Sequence, residues 1–134
     1  MQGRIQRGHV ARARGTESRA RGTGAEAAAV EALTRDGWTI LGQRIQTEAG
    51  EIDIVADRDG LLALIEVKAR PSLQDAAAAL TRRQQDRLLA AADLLLADHP
   101  DGGRLGARFD VILVDAAGQV RRIADAFRRE EPAG

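Results

Sequence analysis

Between Gly50 and Arg70 the chain reads GEIDIVADRDGLLALIEVKAR, two aliphatic runs that alternate with charged residues at their outer ends. This alternation predicts β-strands over 50–57 and 61–68. Asp59 and Gly60 between them form a type I′ hairpin signal, because both central residues of that turn need φ > 0. With these two as the loop, Arg58 faces Leu61. Pairing back from there sets Ile54 opposite Ile65, Asp53 opposite Glu66, Ile52 opposite Val67 and Glu51 opposite Lys68. One face is then aliphatic and the other charged. A one-residue slip would set carboxylates against aliphatics, which their burial cost forbids.

Upstream, GAEAAAVEALTRD (24–36) is Ala-rich and predicts a helix, with Gly37 as its C′ stop. Val30 and Leu33 mark the buried face, and Glu26, four and seven residues before them, shares that face or its edge. GWTILGQRI predicts a first strand with Trp38 and Ile40 on one side. Pro71 ends the third strand. Beyond it, Thr81 followed by Gln84 fits a capping box. That divides the helical region into a short turn over about 73–80 and a longer helix over about 82–98, striped by Leu88, Ala91 and Leu95. RFDVILVD is a fourth strand, apolar on both sides from Val111 to Val114 and so expected in the interior of the sheet. A short strand over 120–123 follows, and ADAFRRE is expected to add a last helical turn. The order implies an α/β fold with a mixed sheet. An antiparallel three-strand meander leads through a crossover helix to further strands, and helices cover both faces.

Length and composition narrow this further. A chain of 134 residues suits one domain with one core. Its 20 basic and 20 acidic residues cancel, but unevenly. Residues 1–22 hold six Arg and one Glu, leaving 14 basic and 19 acidic groups for the remainder. The expectation is a basic, flexible arm over 1–22 joined to a single acidic domain over 23–134. The arm is a candidate phosphate contact, or a plain tail. There is no cysteine, which excludes disulfides and thiolate metal sites. The N-terminus lacks the apolar stretch of a secretory signal, and no run reaches the roughly 20 residues of a membrane span. A cytoplasmic protein without a membrane partner is expected. Aromatic residues, at 2%, are too few for a platform that stacks exposed bases.

The charged face of the hairpin carries the candidate chemistry. Directly opposed side chains on paired strands have Cβ atoms roughly 4.5–5.5 Å apart. Carboxylates that close repel unless a proton, Lys68 or a metal ion lies between them. An oxygen-rich set without Cys or a nearby His suits Mg²⁺ or Mn²⁺ better than Zn²⁺. Such an ion is the apparatus of phosphodiester hydrolysis. Lys68 is the one lysine beside nineteen arginines, which suggests a position that wants a compact ammonium. The plainer reading of the same pattern is a solvated ladder of salt bridges. Glu26 has a plainer reading too, at the positive end of its helix. Arg82, Arg83 and Arg87 are candidate phosphate contacts. Gln84 is either one of these or only the capping partner. His9 and His99 read as surface residues, Asp110 as a solvated or capping group at a strand end, and Arg121 and Arg122 as facing water.

GEIDIVA, IEVKAR and RFDVILV, with an Ala-rich helix bearing Glu26 before them and a long helix among them, resemble the YraN family. This is a group of small bacterial proteins of the restriction-endonuclease-like fold, placed with the PD-(D/E)XK nucleases and similar to archaeal Holliday-junction resolvases. The resemblance covers about residues 22–128. It implies a nuclease core in which Asp53 and Glu66 bind the metal ion and Lys68 serves the attacking water. Glu26 would stand beside them as a further acidic group, and Glu51 matches a family Glu whose role stays open. The implied substrate is DNA, branched or otherwise structured, and a homodimer is implied by analogy with junction enzymes. Two positions depart from the family pattern. Gln84 stands where relatives often carry Lys, and Arg44 where they commonly carry Asn. Loss of a basic group could weaken activity or shift its role to Arg82, Arg83 or Arg87. The second reading is therefore a module of the same fold that binds nucleic acid or a protein partner and cleaves little or not at all.

Overall fold

The computed structural model describes residues 17–74, 80–99 and 104–128. The first helix, α1 (Glu17–Arg35), begins ahead of the Gly24 start expected from the alanine run. The basic arm proposed for residues 1–22 lies mostly outside the described residues. α1 ends as its sequence predicts. Gly37 takes φ +90°, its N–H donates to the Thr34 carbonyl at 3.0 Å, and the Trp38 N–H donates to the Leu33 carbonyl at 3.0 Å. This paired closure is a Schellman motif, and Leu33 and Trp38 supply the apolar contact that usually accompanies it.

Three strands follow: β1 (Thr39–Thr47), β2 (Gly50–Arg58) and β3 (Leu61–Ala69). Asp59 and Gly60 turn with φ +55° and +93°, the left-handed pair that a type I′ turn demands. Arg58 faces Leu61, and the register runs back to Ile54 opposite Ile65, as the turn dictates. The long helix α2 (Arg82–Asp98) crosses over to β4 (Ala107–Val114), which pairs parallel with β3. β5 (Val120–Phe127) returns antiparallel on β4. The sheet order is β1-β2-β3-β4-β5. The short helical turn expected over 73–80 lies largely outside the described residues.

Thr81 and Gln84 form the capping box at the start of α2. The Thr81 hydroxyl accepts from the Gln84 N–H at 3.2 Å, and the Gln84 side chain accepts from the Thr81 N–H at 2.8 Å. Thr81→Ala strands the Gln84 N–H and is expected to cost about 1 kcal/mol, read from chemical unfolding.

Helices cover both faces of the sheet. Ala25, Ala29 and Leu33 of α1 pack with Ile54, Ala56, Ala63 and Ile65. Ala91, Ala92 and Leu95 of α2 pack with Ile45, Val55, Leu62 and Leu64 on the other side. Val111 to Val114 are all buried, as expected of an interior strand. Among the described residues no helix is long and apolar enough to cross a membrane.

Two expectations are corrected. A helical turn is expected over ADAFRRE, but residues 124–127 are strand, because β5 continues to Phe127, where its ring stacks on Phe109 with centroids 4.8 Å apart. Pairing with β4 gives this segment the hydrogen bonds that an isolated helical turn would lack. Asp110 is not a solvated strand end, since only 1% of it is exposed. It lies where the β4–β5 register shifts, between Phe109 and Val111. One carboxylate oxygen lies 3.0 Å from Arg108 Nε and accepts from the Asp125 N–H at 2.9 Å. The extra length of β5 is what buries it.

Candidate metal centre

The β2–β3 ladder stops at Ile54–Ile65. The pairs expected beyond it, Asp53 with Glu66, Ile52 with Val67 and Glu51 with Lys68, do not form. Instead the Val67 N–H donates to Asp53 Oδ2 at 2.8 Å, so a side-chain oxygen replaces the next backbone acceptor. Two carboxylates held face to face would repel, and parting the strands relieves this. The parting also changes the faces. Ile54 packs in the α1 core while Ile52, two residues earlier, packs in the α2 core. A regular strand would put both on one side. Alongside, the β1–β2 register passes from Gln43–Ile54 to Ile45–Ile52, with Arg44 between them at φ +51°. Asp53 is thereby turned toward α1.

Glu26 waits there. It is 8% exposed and sits on the buried face of α1, between Ala25 and Ala29. Glu26, Glu51 and Asp53 each offer a carboxylate oxygen, and these oxygens lie within 4.8 Å of one another. Three carboxylates with no Cys or His among them match a hard divalent cation such as Mg²⁺ or Mn²⁺. The cluster could hold a metal ion.

This set differs from the expected ligand pair of Asp53 and Glu66. Glu66 is buried and lies near Asp53, but its carboxylate is engaged by Lys68, with Oε2 at 3.2 Å from Nζ. Lys68 points the same way as Glu66, as a spacing of two in a strand requires. Asp53 and Glu66 line one cleft of about 600 Å³, together with Glu26, Val67 and Arg70. Glu51, whose role the sequence left open, joins the cluster. Its Oε1 accepts from Gln46 Nε2 at 2.9 Å. The spacing Glu51-x-Asp53 was the signal available for it.

Burial is the main force on Asp53. It pushes the carboxyl up from 3.8 to about 8, helped by the negative charge of Glu66 and, more weakly, of Glu26 and Glu51. The Val67 N–H opposes the rise. Near neutral pH the group therefore keeps its proton for most of the time. The repulsion is met on three sides, by this proton, by Lys68 on Glu66, and by an arginine absent from the expected site. Arg44 Nη2 lies 3.0 Å from Glu26 Oε1, with both side chains largely buried.

The basic residues of α2 are disposed differently. Arg82 pairs with Asp86 at 3.3 Å on the exposed side of the helix, and Arg83 is exposed. The Gln84 side chain is committed to the capping box. Arg87 passes over the residue before Glu51, where a Cβ added at Gly50 would lie 2.9 Å from Arg87 Cδ. Arg87 thus reaches the residue next to Glu51 in the chain.

The family described as "Uncharacterised protein family UPF0102" matches residues 25–114. The match takes in α1 from the residue before Glu26, both strands of the hairpin, and β4 to its end. A UPF0102 protein of Granulibacter bethesdensis is 59% identical over 118 residues, covering 88% of this chain and 75% of its own. One of Rhodopseudomonas palustris is 48% identical over 103 residues, covering 77% and 79%. One of Azorhizobium caulinodans is 46% identical over 106 residues, covering 79% and 81%. These proteins carry the family designation and no activity in their names. The five-stranded mixed sheet with a parallel β3–β4 pair and a helix on each face is consistent with a restriction-endonuclease-like fold. The chain belongs to the UPF0102, or YraN, family.

Proposed function

We propose that this protein is a divalent-metal-dependent nuclease that hydrolyses phosphodiester bonds in DNA. The observation that carries the reading is the convergence of Glu26, Glu51 and Asp53 within 4.8 Å, with Glu26 and Asp53 lining one cleft with Glu66, which pairs with Lys68. A Mg²⁺ or Mn²⁺ ion bound there supplies charge neutralisation at the phosphate and a more acidic water. The residues of the chain do the remaining work. Glu26, Glu51 and Asp53 would hold the cation, and Asp53 would do so as the carboxylate. Glu66 holds the Lys68 ammonium at 3.2 Å, where it can position a water for attack. The exposed Arg83, and Arg87 beside Gly50, offer contacts to flanking phosphates. A preference for branched or structured DNA, and action as a two-fold dimer, follow from the family resemblance alone.

A nicking assay on supercoiled plasmid with Mn²⁺ or Mg²⁺ tests this reading. Asp53→Ala and Lys68→Ala are each expected to lower the rate on the order of 10²-fold or more. Equal nicking by wild type and both variants would trace the activity to a contaminant and remove the enzymatic reading. The alternative is a module that binds nucleic acid without cutting it. The occupied side chain of Gln84, held in the capping box and so withdrawn from phosphate contact, favours that alternative. Salt-dependent DNA binding with no metal-dependent nicking would establish it.

A further inference from the structure

Arg44 has no part in the reaction described above, yet it is placed more unusually than any residue that does. It is a non-glycine residue at φ +51°, a left-handed conformation that strains a side chain such as arginine's. Such a residue persists only where its surroundings hold it. What lies around Arg44 is the carboxylate cluster. Its guanidinium is 3.0 Å from Glu26, with side-chain exposures of 19% and 10%. Across the sheet, the register that brackets Arg44 also brackets Asp53, through Gln43–Ile54 and Ile45–Ile52. Arg44 and Asp53 therefore stand opposite one another on the paired strands.

We propose that Arg44 is a built-in counter-cation for the carboxylate cluster: it holds Glu26 in the metal-free protein and must be displaced from it before Glu26 can serve a divalent cation. The inference rests on the metal-site reading and adds regulation to it. Among the carboxylates of the cluster, Glu26 has an arginine as partner while Glu51 has the neutral amide of Gln46. A dication entering the cluster competes with Arg44 for the same carboxylate, and two positive groups cannot share that oxygen without repulsion. The guanidinium keeps the folded protein stable without metal, and it lowers the affinity of the site. Displaced from Glu26, it remains a fixed positive charge at the edge of the cleft, positioned to meet an anion drawn in by the cation.

The test is Mn²⁺ binding by calorimetry, without nucleic acid, on wild type, Arg44→Asn and Arg44→Lys. Asn tolerates the left-handed backbone, so the first variant removes the charge without straining the strand. Arg44→Asn is expected to bind Mn²⁺ about tenfold more tightly than wild type, equivalent to about 1.4 kcal/mol. Arg44→Lys, which keeps the charge, is expected to stay within about twofold of wild type. As a second measurement, the rise in melting temperature on adding Mn²⁺ is expected to be larger for Arg44→Asn than for wild type. Equal affinity in wild type and Arg44→Asn would overturn the inference, because it means that the ion and Arg44 use Glu26 together. Weaker binding by Arg44→Asn would also overturn it, by making Arg44 a support of the site. No Mn²⁺ binding by any of the three proteins would remove the metal-site reading itself, and this inference with it.

Discussion

Asp53→Asn is expected to make the protein more stable above neutral pH while abolishing its hold on a divalent cation. The folded carboxyl titrates near 8 and the unfolded one near 3.8, mainly because folding buries the group. Below the unfolded value both states are protonated and Asp53 contributes nothing to the pH dependence. Between the two values the unfolded chain gives up a proton that the folded one keeps, so stability falls as pH rises. Above about 8 the penalty is complete and no longer changes. Each unit of separation is worth about 1.4 kcal/mol, so the full penalty is on the order of several kcal/mol. This is opposite in sign to the usual surface aspartate, which stabilises as it ionises. Asn has nearly the same shape and keeps an oxygen to accept from the Val67 N–H, but it has no proton to lose. Urea unfolding of wild type from pH 5 to pH 9 should show a loss of stability that Asp53→Asn lacks. Titrating groups remote from the cluster cancel in the difference. Mn²⁺ should restore wild type at high pH and leave the variant unchanged. Parallel pH profiles for the two proteins would show that Asp53 is not held protonated by the fold.

The second large effect is structural. Asp110→Ala is expected to destabilise the fold by about 3–5 kcal/mol, because it removes one partner from a buried ion pair. The carboxylate is 1% exposed. It answers both the Arg108 guanidinium and the Asp125 N–H, where the β4–β5 register shifts. Without it, Arg108 stays over the Trp38 ring, 5.2 Å from its centroid, with its main anionic partner gone. Asp110→Asn keeps an acceptor for the Asp125 N–H and loses only the charge, so its cost should fall between wild type and Asp110→Ala. Thermal unfolding of the three proteins checks this order. A loss within about 0.5 kcal/mol for Asp110→Ala would mean that the site behaves as an ordinary surface position.

Both effects come from places where short-range rules reach their limit. The Asp59-Gly60 turn determined the hairpin register as far as Ile54–Ile65, since only left-handed residues fit a type I′ turn and the pleat then assigns each side chain. Thr81 and Gln84 likewise marked the start of α2, and Gly37 the end of α1. These are bonds between residues a few positions apart, so the sequence contains both partners side by side. The same logic put Glu26 on the buried face of α1 and Lys68 alongside Glu66. Extending it to the outer ends of the strands produced the face-to-face Asp53–Glu66 pair, which is absent. The ladder parts there because the charge repulsion is better met by separate partners, Val67 N–H for Asp53 and Lys68 for Glu66.

The sequence by itself determined the order of the elements from α1 to β4, the hairpin and the identity of the acidic residues, because each depends on spacing, turn chemistry or burial pattern along one segment. The tertiary structure alone decided which carboxylates meet, that Arg44 neutralises Glu26, and that a lengthened β5 buries Asp110. Those outcomes depend on α1 and the first two strands arriving at one point, and on the β4 and β5 ladders running to their ends. They turn on ångström-scale distances between segments that no local pattern encodes. Charges many residues apart reveal their partners only when packing has removed the water between them.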